Sequence, residues 1–438
     1  MSKAEISVFW FRRDLRLNDN AGLYHALRGE NPVLPLFIFD KNILDGLDNK
    51  KDRRVDFIYQ VIGSLQEELE SLGSSLYVIY DSPEKAFKKL LNEFDITSVY
   101  TNNDYEPYAK ERDEVIKNLL EKNKIQFQSY KDQVVFEKDE VLKDDGKPYT
   151  VFTPYSRKWK SKLNDFFVKS FPNKKYFKNF IRIKRFKIPS LKEMGFEKTE
   201  MKFSLPKITP ALLKNYKDNR DFPSVAGTSR VSMHLRFGTI SIRKAAQHAL
   251  QYSETWLNEL IWREFYMTIL WHFPHVEKNS FKKEYDYIHW RNNEKEFEKW
   301  CKGETGFPIV DAGMRELNTT GFMHNRVRMI TASFLVKDLL IDWRWGEAYF
   351  AEKLNDFDLS ANNGGWQWAA GSGCDAAPYF RIFNPDSQQE KFDPEFIYIK
   401  KWVPEFGTEK YPKPIVDHKE ARERTLAAYK KALALKHT

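Results

Sequence analysis

The stretch ANNGGWQWAAGSGCDAAPYFRIFNP, Ala361 to Pro385, sets Trp366 and Trp368 one residue apart beside paired asparagines, paired glycines and a run of alanines. NDFDLS lies just upstream and Arg381 follows Phe380. Rings, amides and carboxylates so placed suit stacking on a flat ligand, tuning of a polar ring edge, or passage of electrons. Three further clusters suit ligands. Glu259, Trp262 and Arg263 stand at three- and four-residue spacing, so a helix puts them on one face. A Glu–Arg pair four apart is ordinarily a surface ion pair, whereas an exposed tryptophan beside it is harder to dismiss. Asn325, Arg328 and Met329 share another helix, with Arg326 on a different side, and Asp356 and Asp358 follow in a loop. One of those carboxylates could pair with Arg328 around a polar ligand, and an ordinary buried salt bridge would give the same sequence. GTSRVSMHLRFGTIS, Gly227 to Ser241, brings Thr228, Ser229 and Ser232 to the start of a helix. That arrangement suits a phosphate, and equally a Thr-Ser N-cap. Trp290, Trp343 and Trp366 make an electron relay if they stack; otherwise they are core.

These groups need elements to hold them. The first 130 residues alternate β-rich runs (ISVFWF, VLPLFIFD, SLYVIYD, ITSVYTN, IQFQSY) with helical segments such as Arg53 to Gly73. Near-continuous apolar strands between helices predict a doubly wound parallel sheet. No G-x-G-x-x-G follows the first strand, so classical dinucleotide binding there is unsupported. From 131 to 200 the periodicity fails. Between Arg157 and Lys187 stand twelve Lys or Arg and one acid, Asp165, which reads as a basic connector with aromatic anchors or as a nucleic-acid patch. After 200 the pattern is helical, including Thr255 to Phe273, Arg328 to Trp345 and a last helix, KEARERTLAAYKKALALKH. The expected architecture is α/β plus all-α: residues 1–130, a connector 131–200, and a helical domain 201–438.

Composition narrows the function. The chain has 438 residues, enough for two or three domains, and ten of its 12 tryptophans lie after residue 250. A net charge of +9 fits a polyanionic partner such as nucleic acid, or general solubility. Two distant cysteines, Cys301 and Cys374, form neither a disulfide framework nor a metal-ligand spacing. The first residues carry no apolar run before three arginines, and no apolar stretch is long enough to span a bilayer. The expectation is a soluble cytoplasmic protein without a metal site.

Taken together, FWFRRDLRLNDN, GTSRVSMHLRFGTIS, NELIWREFY, TGFPIVDAGMRELNTTGFMHNRVRMITASFLVKDLLIDW and DLSANNGGWQWAAGSGCDAAPYFRIFNP resemble the photolyase/cryptochrome family along essentially the whole chain, most closely bacterial class I cyclobutane pyrimidine dimer photolyases. The resemblance implies an N-terminal Rossmann-like antenna domain and a helical domain that binds FAD. It implies that Tyr216, Thr228, Ser229, Val231 and Ser232 hold the pyrophosphate and ribityl region. Trp256, Glu259, Arg263, Asn325 and Arg328 would line the cavity, with Asp356 and Asp358 at the flavin's polar edge. Asn362 would face flavin N5, where a neutral amide adds no negative charge beside a reduced flavin.

By the same resemblance, Trp366, Trp343 and Trp290 form the photoreduction chain. Trp262 and Trp368 sandwich the flipped-out dimer, with Asn325 and Met329 beside it. Glu259 bonds the dimer's carbonyl edge, and Arg220, Arg263, Arg326 and Arg381 lie near DNA phosphates. The partner is UV-damaged DNA, the acting species a monomer, and the implied activity light-driven splitting of the dimer. In (6-4) photolyases a histidine pair stands where Asn325 and Met329 are here, and signalling cryptochromes commonly carry Asp or Cys at the position of Asn362. The first point disfavours a (6-4) substrate, and the second favours repair over the alternative, a blue-light signalling flavoprotein without repair activity.

Folate-antenna photolyases use an Asn-Glu pair where DYEPYAKERDE places Tyr108 and Ala109, although Lys278 matches a folate-contacting position. An antenna of folate or deazaflavin type, another chromophore, or none is left open. Phe322, where tryptophan is common, and the extra Trp345 are given no role.

Overall fold

Five β-rich runs become β1 (Glu5–Phe11), β2 (Val33–Asp40), β3 (Tyr77–Asp81), β4 (Asp95–Asn102) and β5 (Gln126–Tyr130), all parallel in the order β3-β2-β1-β4-β5. The computed structural model describes residues 5–435. Between the strands run α1 (Ala21–Leu27), α2 (Arg53–Ser71), α3 (Pro83–Glu93) and α4 (Pro107–Lys122). Period-two alternation feeds both faces of the sheet. Phe9, Phe11, Phe37 and Phe39 pack with Val55, Ile62 and Leu65 of α2 on one side. Val8, Trp10, Leu36 and Ile38 pack with Phe87 and Leu90 of α3 and Ile116 and Leu120 of α4 on the other.

The chain divides into two units. The sheet unit takes residues through Glu137, with Leu163–Lys207 and Arg230–Gln251; the helical unit takes Lys138–Lys162, Ile208–Ser229 and the chain from Tyr252. The segment 131–200 is thus shared between them. Part of it is regular: α5 (Phe152–Lys162) buries Tyr155, Ser156 and Trp159. Phe152, Tyr155 and Trp159 stand at spacings of three and four, a helical stripe within the stretch read as aperiodic.

The helical unit contains α6 (Tyr216–Asn219), α7 (Glu254–His272), α8 (Asn325–Ser333), α9 (Trp343–Lys353), α10 (Leu359–Ala370) and α11 (His418–Ala434), among others. The single helix expected from Arg328 to Trp345 does not form. After α8 a π-helical turn covers Phe334–Asp338, Leu340 takes φ 51°, and Asp342 caps α9 by accepting from the Arg344 N–H at 3.0 Å. A left-handed residue ends the helical path, and periodicity alone does not register it. Among the described residues no helix is long and apolar enough to cross a membrane.

Candidate functional site in the helical unit

The unit's candidate residues come from α6, α7, α8, α10 and the loops around α10. On α10, successive positions turn by about 100°, so Trp366 and Trp368 point to nearly opposite sides. Trp366 is buried in the core with Trp343 and Trp300, and Trp290 packs against that core. Its ring neighbours include Trp300 at 6.1 Å and Phe350 at 4.9 Å, both edge-on. Trp343 lies under the Arg344 guanidinium, and Trp290 meets Tyr429 edge-on at 6.1 Å. Trp368 is half-buried near Phe383 at 6.4 Å, where exposed Arg381 also lies over the Phe383 ring.

The amides and glycines of ANNGG divide their work. Asn363 is buried and donates to the Val276 carbonyl at 2.9 Å, anchoring the helix. Asn362, one position earlier, donates to the Glu347 carbonyl at 3.0 Å. Burial pushes the Glu347 carboxyl up to about 7, against the opposing pull of Asn362. Gly364 leaves room for the Tyr266 ring; a Cβ there would come within 2.2 Å of it. Asp358 is the N-cap of α10, accepting from the Ala361 N–H at 3.3 Å and the Ser360 hydroxyl at 2.5 Å. Asp356 is paired with Arg328, whose Nη2 reaches both carboxylate oxygens at 2.9 and 3.0 Å.

Glu259 contradicts the simple helix-face pairing with Arg263. Its ion pair is with Arg220, from the next residue after α6, at 2.5 Å. Arg220 also lies over the buried Tyr216 ring at 5.5 Å. Burial raises the Glu259 carboxyl, and Arg220 pulls it down. Arg326 pairs with Asp221 at 2.8 Å and lies over Phe392 at 4.2 Å, so neighbouring side chains already engage it. Asn325 is exposed at the head of α8, its amide 3.9 Å from the Met329 sulfur. Trp256 is buried and donates from Nε1 to the Ser229 hydroxyl at 3.2 Å.

The segment GTSRVSMHLRFGTIS divides. Thr228 and Ser229 fold with the helical unit, whereas Val231 and Ser232 open a segment of the sheet unit. Its short helix, Ser232–Phe237, has Val231 at the N-cap without a side-chain cap bond. The Thr-Ser cap is therefore not formed.

Trp262 is half-buried and stacks face to face on Phe152, centroids 3.7 Å apart and planes 4° from parallel. Phe152, Asp221, Glu347 and Asp375 were missed from sequence. Only Phe152 left a signal, the apolar stripe of α5.

The motif FWFRRDLRLNDN does different work. In the sheet unit Arg12 pairs with Asp113, and Arg13 with Asp104 at 3.1 Å and Glu106 at 3.0 Å. Asp132 accepts from Arg16 at 2.6 Å and Arg243 at 2.7 Å. Asp14 accepts from Asn20 at 3.2 Å and is also bonded by Asn102. These arginines brace the fold. At the carboxyl edge of the sheet the Tyr108 hydroxyl donates to Asp40 at 2.6 Å, and Ala109 is buried. Neither position supplies a folate-binding amide or carboxylate.

Residues 256–409 match the family described as the FAD binding domain of DNA photolyase, and residues 7–175 match the DNA photolyase family. Fold and site together define a flavoprotein of two units, one α/β and one all-helical. The chain belongs to the photolyase/cryptochrome family. It is 37% identical to the deoxyribodipyrimidine photo-lyase of Alkalihalophilus pseudofirmus, over 97% of this chain and 98% of that protein. It is similar to a bacterial class III photolyase from Agrobacterium tumefaciens, TM-score 0.88 and 32% identical, covering 100% of this chain and 99% of the other. It is also similar to an archaeal photolyase from Sulfolobus tokodaii crystallised with two FAD molecules, TM-score 0.81 and 35% identical, covering 98% and 100%.

The residues present fit FAD. The hydroxyls of Thr228 and Ser229, the Arg263 and Arg328 guanidiniums, Asp356 and the Asn362 amide suit a ligand with a pyrophosphate, hydroxyls and a polar ring edge. Asn258 Oδ1, one position from Glu259, is buried without a protein partner.

Proposed function

We propose that the chain binds FAD in its helical unit and uses blue light to split cyclobutane pyrimidine dimers in DNA. The observation that carries this reading is the two-sided display on α10: Asn362 and buried Trp366 four residues apart, Trp368 turned away and half-buried. Bound reduced FAD supplies the light-excited electron. Tyr216, Thr228, Ser229, Trp256, Arg263, Asn325, Arg328, Asp356, Asp358 and Asn362 hold and orient it. The Asn362 amide offers hydrogen bonds without a charge.

The other side receives the lesion. Trp262 and Trp368 stack on the extruded dimer, which costs less to unstack than an intact step. Asn325 and Met329 flank it. Glu259, its carboxyl raised by burial, donates or accepts at the dimer's carbonyl edge where charge builds as the ring opens. Arg220, Arg263, Arg326 and Arg381 position the phosphate backbone and carry no sequence information. Trp366, Trp343 and Trp290 do not stack on one another but lie in or against one core, through which they pass electrons inward from the surface. The protein acts as a cytoplasmic monomer. An antenna chromophore of folate or deazaflavin type, or a second flavin as in the Sulfolobus tokodaii relative, would give its own absorbance band beside the flavin's in the purified protein.

One defined thymine dimer in an oligonucleotide, with reductant and blue light against a dark control, tests the reading. Loss of the dimer in light alone is expected. An intact dimer, with FAD bound and reduced, overturns repair and leaves the signalling alternative.

A further inference from the structure

We propose that Phe152 is a positioning residue that holds the Trp262 ring for the substrate and determines which of its faces a base stacks on. The inference rests on the reading of Trp262 as a lesion-stacking residue. Aromatic pairs ordinarily sit with centroids about 4.5–7 Å apart, offset or edge-on. Phe152 and Trp262 are closer and nearly parallel, at 3.7 Å and 4°. Such a geometry needs enforcement from outside the pair, and three anchors supply it.

The first anchor is α5 itself. Its Tyr155 ring lies 5.2 Å from Phe265 of α7, and Trp159 Nε1 donates to Glu264 of α7 at 2.6 Å, both groups buried. The second is the Phe152 N–H, which donates to the Asp375 carboxylate at 3.0 Å. Asp375 takes φ 48° on the segment that leaves Trp368 and leads to Arg381, so the bond ties Phe152 to the chain carrying the other proposed stacking ring. The third is the remaining surround of Trp262, with Phe265 edge-on at 5.7 Å and Tyr266 tilted at 5.5 Å.

Phe152 covers one indole face. The opposite face is the one left for a base. A ring already held in place loses little rotamer freedom when substrate binds, so the effect falls on affinity.

The test uses the FAD-loaded protein and an oligonucleotide with one thymine dimer, compared with the undamaged strand. F152A is expected to weaken dimer binding by about three- to tenfold. Repair at saturating substrate and the flavin absorbance should change less than twofold, and F152Y should restore affinity. In a W262A background, F152A should add nothing, because it acts through the indole. Binding by F152A within twofold of wild type, with W262A weakened, overturns the proposal. Additive losses in the double variant also overturn it, since Phe152 would then act elsewhere. If W262A alone leaves discrimination intact, the stacking role of Trp262 fails first, and that result is distinct from either. Should F152A not fold, F152L keeps the bulk, removes the flat ring and is read by the same criteria.

Discussion

The sheet unit and the helical unit both gather arginines and carboxylates, and they do so to opposite ends. In the sheet unit Asp132 is 2% exposed and bonded by Arg16, Arg243 and the Ala21 N–H. Both Asp132 oxygens are buried and bonded, which makes the cluster a brace. In the helical unit the Arg220–Glu259 and Arg326–Asp221 pairs keep a quarter or more of at least one partner exposed and sit beside aromatic rings. Pairs of that kind contribute little to stability and can exchange partners when a charged ligand arrives. Burial and saturation, rather than residue type, distinguish the bracing cluster from the one proposed to bind.

Four experiments test that contrast. The largest effect is expected for D132N, which takes the carboxylate partner from Arg16, leaves Arg243 with Asp19 alone and costs about 3–5 kcal/mol. Urea unfolding should show it, with repair by the folded fraction unchanged. A loss below about 1 kcal/mol would place the cluster with ordinary surface pairs. Next comes E259Q, which keeps the shape and removes the charge. The repair rate of bound dimer should fall about a hundredfold while the unfolding midpoint barely moves. A stability loss without a rate loss would make Glu259 a brace like Asp132.

A smaller effect is expected at Gly346 on α9. A Cβ there would lie 2.1 Å from the Trp366 ring and 2.5 Å from Leu335. G346A should cost about 1–3 kcal/mol by overpacking and slow light-driven reduction of the bound flavin, because Trp366 must move. Unaltered photoreduction would separate Trp366 from the electron path.

The smallest effect is a pH slope. Glu347 is raised to about 7 from an ordinary 4.5, so the native state binds more protons than the unfolded chain between those values. Stability therefore falls as pH rises through that window, and E347Q should flatten the fall. Urea midpoints at pH 5 and pH 8 measure it. Equal slopes in the two proteins would show that Glu347 ionises normally.

Much of this was legible from one-dimensional pattern. The five strands lie where short β-rich runs predict them; β1, β2 and β4 are buried almost throughout, whereas the edge strand β5, QFQSY, is part-exposed and largely polar. The candidate residues on α7, α8 and α10 were named from helical spacing joined to family resemblance. Two features were hidden. Phe152 stood in a stretch whose many lysines and arginines mask a short apolar stripe. The break at Leu340 carried no glycine or proline to announce it.

Local spacing by itself determined which side chains share a helix face: Glu259 with Trp262, Asn362 with Trp366, and Trp368 turned away from Trp366. Only tertiary structure decided the partners. It gave Glu259 to Arg220, 39 positions earlier, and brought Phe152 onto Trp262. Spacing follows from backbone geometry, which every helix shares. Pairing across helices depends on how buried surfaces and desolvated charges settle together, and no local pattern encodes that.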